Sequence, residues 1–208
     1  MARRVDPVKH QARRQQVIDA AARLFATRGL DGTSTADICK AAGMSPGNLF
    51  HYFPSKREIF FAVITHDEAE KQRHLAAALA GTDPLAALQD VVDYLLGPAT
   101  VPMAPPLVME AMLQARRDPE LAEWLSRDQA DEQAVIEELV SRAVQAGQID
   151  PGVEPRDAAG WIGTLIGAVY LQAATDPEFS VARHLRTMHL TLRRFLRADA
   201  AGSARPGP

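Results

Sequence analysis

The chain has 208 residues, of which 47% are hydrophobic and 24% are charged, and its formal net charge is −3. This composition is typical of a globular protein with a sizeable core. No apolar run approaches the roughly 20 residues that a membrane-spanning helix needs, so we expect no membrane partner. The basic N-terminus is not followed by an apolar segment, so we expect no secretion signal. The single cysteine fits a reducing cytoplasm.

The charge is divided unevenly along the chain. Residues 1–57 contain ten Lys and Arg against four Asp and Glu, a net charge of +6. The remaining residues contain 13 basic and 22 acidic side chains, a net charge of −9. A basic segment joined to an acidic remainder predicts that the basic end meets a polyanion. Chance clustering of solvated charges is the alternative that charge alone leaves open.

Helix start and stop signals follow one another along the chain, and no segment has the alternation of a strand. Pro7 predicts the start of a first helix, which Gly29 ends. Ser34 predicts the N-cap of a second helix, which ends at Gly43. Ser55, with Glu58 three residues later, predicts the N-cap of a long fourth helix that continues to about residue 79.

The later part of the chain repeats these signals. Asp83 and Asp118, each followed by proline, predict two further helix starts, and glycines at 97 and 147 predict the corresponding ends. We predict an all-α fold of about nine helices. Residues 199–208 contain too few apolar side chains to pack, so we predict a disordered tail there.

The second and third helices are separated only by the short turn GMS, which is helix-turn-helix spacing within the basic region. Pro46 in the first turn of the third helix costs no helical hydrogen bond, and Gly47 lets its backbone approach another molecule closely. A helix that enters a major groove by its N-terminus needs both properties. Leu49 and Phe53 lie one turn apart and are predicted to fill the core of this segment.

The other side of the third helix carries polar tips. Asn48, His51 and Tyr52 are predicted to face outward, where they can reach phosphates or base edges. Phe50 has no hydrogen-bonding group, and for Phe50 and Tyr52 a place in the core is the alternative.

The run AARLFATRGLDGTSTADICKAAGMSPGNLFHYFPSKREIF, residues 21–60, resembles the DNA-binding domain of TetR-family transcriptional regulators. The resemblance implies a helix-turn-helix domain at residues 1–57. It also implies that the long fourth helix links this domain to a helical ligand-binding and dimerisation domain at 58–198. Phe50 stands where the family usually has tyrosine, so His51 or Tyr52 would supply the hydrogen bond to phosphate. The DNA-binding residues that the resemblance and the pattern predict are Ser34, Thr35, Ser45, Pro46, Gly47, Asn48, Phe50, His51, Tyr52 and Lys56.

Small residues recur on the penultimate helix, where Gly160, Gly163 and Gly167 allow another helix to approach closely. The resemblance implies a two-fold homodimer built from the last two helices, and packing within the same chain is the alternative. The predicted interface residues are Gly163, Ile166, Gly167, Leu185, Met188 and Leu192.

The middle helices contain thioethers and rings that are typical of an adaptable apolar pocket, although such residues are also typical of a core. The sequence does not identify the small-molecule effector, and we expect no cofactor. The predicted effector-binding residues are Tyr94, Met109, Glu110, Met112, Leu113, Trp124 and Trp161.

Catalytic and metal-binding patterns are weak. His66, Glu70 and His74 could share a helix face, but two turns between the histidines is wide for one ion, so we interpret them as a solvated face and predict no metal site. No phosphate-binding glycine loop or nucleophile elbow occurs, so we predict no enzyme.

Together these patterns predict a homodimeric cytoplasmic regulator, most simply a repressor that a small molecule releases from a pseudo-palindromic operator in double-stranded DNA. Two alternatives remain at this point. One is a nonspecific DNA-packaging protein, and the other is an all-helical enzyme with a DNA-binding head.

Overall fold

The computed structural model describes residues 7–197, and within this range the chain forms α-helices and no strand. The all-α prediction is confirmed. The tail predicted to be disordered, 199–208, lies outside the described residues. The helices are α1 (Pro7–Arg28), α2 (Thr35–Ala42), α3 (Pro46–Tyr52), α4 (Lys56–Ile64), α5 (Glu68–Ala80), α6 (Pro84–Leu96), α7 (Ala104–Ala115), α8 (Pro119–Gln145), α9 (Pro155–Thr175) and α10 (Val181–Leu196), with a 3-10 helix at Gly97–Thr100 after α6.

The predicted fourth helix is two helices in the structure. α4 ends at Ile64 and α5 begins at Glu68, with Thr65 at φ −91° and ψ 7° between them. The amide of Glu68 donates to the carbonyl of Thr65 at 3.2 Å, which closes a four-residue turn instead of continuing the α-helical hydrogen bonds. Threonine and aspartate are weak helix formers because of β-branching and competing side-chain hydrogen bonds, and both occur in the linking sequence Thr65-His66-Asp67.

The described helices belong to two compact units. The head unit takes the chain up to Glu68 together with a distant segment, Pro106–Leu121, which contains most of α7. The body unit takes Ala69–Pro105 and the chain from Ala122 onward. The sequence pattern assigned residues 106–121 to the body, because nothing local to that segment points to the head.

Each unit has its own apolar core. In the head unit, the rings of Phe25 and Phe60 meet edge to face with centroids 5.3 Å apart, and both side chains are almost fully buried. This is a favoured geometry for aromatic pairs. In the body unit, α6, α8 and α9 contribute fully buried side chains such as Val92, Leu139 and Ile162. These cores explain why the short helices of the chain hold their places.

A charged cluster lies within the body unit between α5 and α8. The ammonium of Lys71 donates to Asp128 at 2.5 Å and to Glu132 at 2.7 Å, and all three side chains are less than a third exposed. Burial raises the pKa of the Glu132 carboxyl. Removing one partner from such a cluster leaves the others buried without compensation, which costs more than the cluster contributes when complete.

We therefore expect Lys71→Met to destabilise the protein by about 3 kcal/mol at pH 8, since two carboxylates lose their counter-ion. A carboxyl with a raised pKa in the folded state binds protons more tightly there than in the unfolded chain. The loss should therefore shrink as the pH falls from 8 to 5.5. Urea unfolding at fixed protein concentration measures this. Arg73→Met, on the exposed side of α5, is the charge-matched control. An equal loss in both variants would contradict the account.

Candidate nucleic-acid interface

The turn between α2 and α3 is built from local capping contacts. Gly43 adopts the left-handed conformation (φ 63°, ψ 39°), and the amide of Met44 donates back to the carbonyl of Cys39 at 3.0 Å. Glycine adopts this conformation without the steric cost of a side chain. Ser45 then caps α3 by accepting from the amide of Asn48 at 3.4 Å. The reversal of the chain is thus completed within three residues, as the helix-turn-helix spacing predicts.

α3 is held to the head unit by one side only. Leu49 and Phe53 are buried, with 0% and 2% of their surfaces exposed, and the Arg14 guanidinium lies 4.8 Å from the centre of the Phe53 ring. The opposite side of α3 is open to solvent. The exposed residues there are Pro46, Gly47, Asn48, Phe50 and His51. The predicted division of α3 into a core side and an outward side is confirmed.

Phe50 and Tyr52, for which a place in the core was the alternative, have different surroundings. Phe50 is 48% exposed, so it is not part of the core. Tyr52 is half-buried, and its ring lies 4.7 Å from that of His10 and 5.4 Å from that of His51. His10 lies in the first turn of α1, and the sequence pattern did not single it out. Its nearness to α3 adds an imidazole to the polar aromatic tips at this surface.

Ser34 serves the structure of α2. Its hydroxyl accepts from the amide of Asp37 at 3.1 Å and donates to the Asp37 carboxylate at 2.5 Å, while the Ser34 amide donates to the same carboxylate. These bonds form a capping box. The hydrogen bond from the Ser34 hydroxyl, followed by that from its amide, lowers the pKa of Asp37. Thr35, next in the chain, is half-buried at the first position of α2, and its contact with phosphate stays a prediction.

Lys56 has a structural partner that the resemblance did not indicate. Its ammonium donates to the carbonyls of Leu30 at 2.6 Å and Thr33 at 2.7 Å, both in the turn between α1 and α2. An ammonium has three N–H donors, so only one remains for phosphate. Removing this side chain would disturb the head unit as well as any contact with DNA.

The seven predicted effector residues are divided between the units. Met109, Glu110, Met112 and Leu113 belong to the head unit, where the last two are each 55% exposed and Glu110 accepts from the amide of Leu30. In the body unit, the Tyr94 ring stacks on His74 at 3.9 Å, Trp124 is 9% exposed and Trp161 is 50% exposed. A cleft of about 10 Å³ in the body unit, room for about one water molecule, is lined by none of the seven. Their contact with an effector stays a prediction.

Three of the predicted interface residues are instead part of the chain's own core. Ile166, Met188 and Leu192 are 9%, 9% and 7% exposed and pack within the body core, as the same-chain alternative held. Leu185 packs partly against the same core, and a Cβ built on Gly163 would lie 3.6 Å from the Gln133 side chain. Helices that touch both a core and a partner carry two apolar faces, and periodicity alone does not tell which face is which.

The outer side of α9 is the better candidate for a partner. Residues 158–175 include no charged side chain. Trp161 and Leu171 on this helix are 50% and 49% exposed, and Gly167, the remaining predicted interface residue on α9, is exposed between them. On α10, Leu190 is 47% exposed. Exposed large apolar side chains on an uncharged segment of a helix are typical of an interface.

Comparison with known proteins agrees with this geometry. Residues 17–63 match the model of bacterial regulatory proteins, tetR family. The HTH-type transcriptional regulator UidR of Escherichia coli (strain K12) is 27% identical over 181 residues, which cover 86% of this chain and 91% of UidR. AibR, solved in complex with isovaleryl coenzyme A and operator DNA, has the same fold. It superposes with a TM-score of 0.71 at 20% identity, over 88% of this chain and 98% of AibR.

The HTH-type transcriptional repressor Rv1474c of Mycobacterium tuberculosis (strain ATCC 25618 / H37Rv) is 32% identical over 142 residues, covering 66% of this chain and 70% of that repressor. The matched family segment includes the whole of α2 and α3, whose outward side is open in the structure. On these grounds, the chain belongs to the tetR family of bacterial regulatory proteins.

Proposed function

We propose that this protein is a homodimeric transcriptional repressor that binds an operator through α3 and is released by a small molecule. The observation that carries the proposal is the one-sided attachment of α3, which buries Leu49 and Phe53 and leaves Pro46 to Asn48 free at the helix N-terminus. A helix presented in this way fits the major groove, where its first residues meet base edges and its free amides meet phosphate.

The direction of regulation is supported by related proteins. Rv1474c is a transcriptional repressor, and AibR was solved in complex with isovaleryl coenzyme A and operator DNA. This chain would bind operator most tightly in one conformation and the small molecule most tightly in another. A ligand shifts such an equilibrium only by its differential affinity, typically 1–3 kcal/mol, or about 5- to 150-fold in DNA affinity.

Dimerisation would let two heads read two half-sites about 34–36 Å apart, one turn of DNA. The α9 surface that contains Trp161, Gly167 and Leu171 supports an interface with a second copy, because its uncharged, partly small side chains allow close helix contact. Leu190 of α10 is also exposed, at 47%, on the other helix of the predicted pair. The interface proposed from the structure therefore replaces Ile166, Met188 and Leu192 by outward residues of the same two helices.

The cellular location follows from the target. None of the described helices is long and apolar enough to cross a membrane. A protein that binds operator DNA works where the chromosome is, so we place it in the cytoplasm as part of this proposal. The relatives are regulators, and we propose a regulatory rather than an enzymatic role.

A footprint on the DNA that flanks the protein's own gene, at physiological salt, tests the DNA-binding role. The wild type should protect one pseudo-palindromic site at least about 10³-fold more tightly than random DNA. His51→Ala should weaken this site by about 1–3 kcal/mol if the imidazole contacts a base edge, with little change in random-DNA affinity. Arg73→Met serves as the control outside the head. Uniform protection that vanishes with salt would instead indicate a packaging protein.

Analytical ultracentrifugation tests the dimer. Trp161→Glu should raise the dimer dissociation constant by about 100-fold or more, because a buried, unpaired carboxylate costs several kcal/mol. Val144→Glu places the same charge on α8, at a side chain that is 39% exposed, and should leave the dimer intact. A Trp161→Glu protein that remains dimeric at low concentration would contradict the proposed interface.

A further inference from the structure

The turn between α1 and α2 is held from two directions within the head unit. From α4, the Lys56 ammonium binds the carbonyls of Leu30 and Thr33. From α7, the carboxylate of Glu110 accepts from the amide of Leu30 at 2.8 Å, although 80 residues separate the two in sequence. Leu30 thus has both of its backbone polar groups bound by charged side chains from other helices.

Glu110 lies directly over the start of this turn. Gly29 has φ +69°, and a Cβ built on it would lie 3.1 Å from Oε2 and 3.3 Å from Oε1 of Glu110. Any larger residue at position 29 would meet both backbone strain and this carboxylate. These distances show that the Glu110 carboxylate of α7 packs closely against the turn.

The carboxylate is itself fixed in place. Gln114, one turn further along α7, donates its amide to Oε1 of Glu110 at 2.9 Å. On the other side of the turn, the hydroxyl of Thr33 donates to the carbonyl of Gly29 at 2.8 Å, and Thr33 is 1% exposed. A partly buried carboxylate with two directed donors is an ordered part of the structure.

A second contact joins the start of α4 to the α7–α8 junction. Arg57 donates to both carboxylate oxygens of Asp118, at 2.6 and 2.7 Å, and to Glu120 at 2.8 Å. Asp118 in turn accepts from the amide of Leu121 and so caps α8. Paired arginine–carboxylate hydrogen bonds fix direction as well as distance. Lys56 and Arg57, adjacent residues of α4, therefore bind the α1–α2 turn and the α7–α8 junction, and Glu110 of α7 binds the same turn.

The turn leads at once into Ser34, the N-cap of α2, and α2 leads through three residues into α3. A shift of the turn is therefore a shift of the helices that face DNA. We infer that Glu110 is a positioning residue for operator binding, which fixes the α1–α2 turn through the Leu30 amide and makes no contact with DNA. The inference rests on the proposed function, and it gives Glu110 a role that the sequence-based assignment to the effector site does not include.

The test compares full-length Glu110→Ala and Glu110→Gln with the wild type. Glu110→Ala removes a hydrogen bond to a charged acceptor, so we expect operator affinity to fall about tenfold and exchange of the Leu30 amide with solvent to rise about tenfold. Glu110→Gln keeps an oxygen at the position of Oε1, so it should bind operator within about threefold of the wild type. Affinity for random DNA should change less than about twofold in both variants, since the head keeps its basic residues.

Glu138→Ala, on an exposed position of α8, removes the same charge and should leave operator affinity and Leu30 exchange unchanged. Where Glu110→Ala does not yield folded protein, Gln114→Ala provides the comparison. It removes the donor that orients Glu110 and should weaken operator binding about threefold with faster Leu30 exchange.

If Glu110→Ala binds operator as tightly as the wild type although its Leu30 amide exchanges faster, the inference is overturned. The proposed function is then left intact. Failure of Glu110→Gln to restore the affinity that Glu110→Ala loses would also overturn it, because the inferred role needs only an acceptor at the position of Oε1, which glutamine supplies. A wild-type protein with no preferred DNA site would instead overturn the proposed function and this inference with it. The footprint of the wild type therefore comes first.

Discussion

Burial of Leu49 and Phe53 is the interaction on which the DNA-facing surface depends. α3 has seven residues, and helices shorter than about 12–15 residues are marginal when isolated in water. Its caps at Ser45 and its two buried side chains supply the stability that its length does not. Because the buried side of α3 makes the packing contacts that hold the helix, residues on its exposed side can vary to suit a DNA sequence.

Some of the basic side chains of the head have partners within the protein itself. Residues 1–57 contain ten basic side chains, of which Lys56 and Arg57 bind carbonyl and carboxylate groups of the head unit and Arg14 lies over the Phe53 ring. The net charge of +6 therefore overstates the number of cations that are free to meet phosphate. Asp118 and Glu120, the partners of Arg57, lie outside residues 1–57, so the charge that they neutralise is not subtracted in that sum.

Local features of this fold could be predicted from the sequence, and features that depend on distant segments could not. The caps at Ser34 and Ser45 and the left-handed Gly43 are decided by residues within one turn, so short patterns identify them. The outward side of α3 follows from the same periodicity. The break after Ile64 depends on weak helix preferences of the linking residues, and packing decides the outcome. A capping pattern followed by apolar residues at helical spacing does not reveal such a break.

The faces of α9 and α10 and the role of Glu110 depend on which segments meet in space. Ile166 and Trp161 are both apolar residues on one helix, yet one is in the core and the other is exposed. Nothing near either residue in the sequence distinguishes them. Glu110 was predicted to bind the effector because it is an acid among apolar residues, and its partner lies 80 residues away in a turn. Contacts of this kind leave no periodic signal.

The head unit is assembled from two stretches of chain that are separated by body helices, and this arrangement bears on synthesis and on evolution. On the ribosome, at about 5–20 residues per second, the first stretch emerges seconds before residues 106–121. Until then, Arg57 lacks Asp118 and Glu120, and the Leu30 amide lacks Glu110. A recombination event that exchanged only the segment recognisable as a family match, residues 17–63, would likewise join a foreign turn to Glu110 and Asp118. Inheritance of a working head thus involves the middle of the gene as well as its beginning.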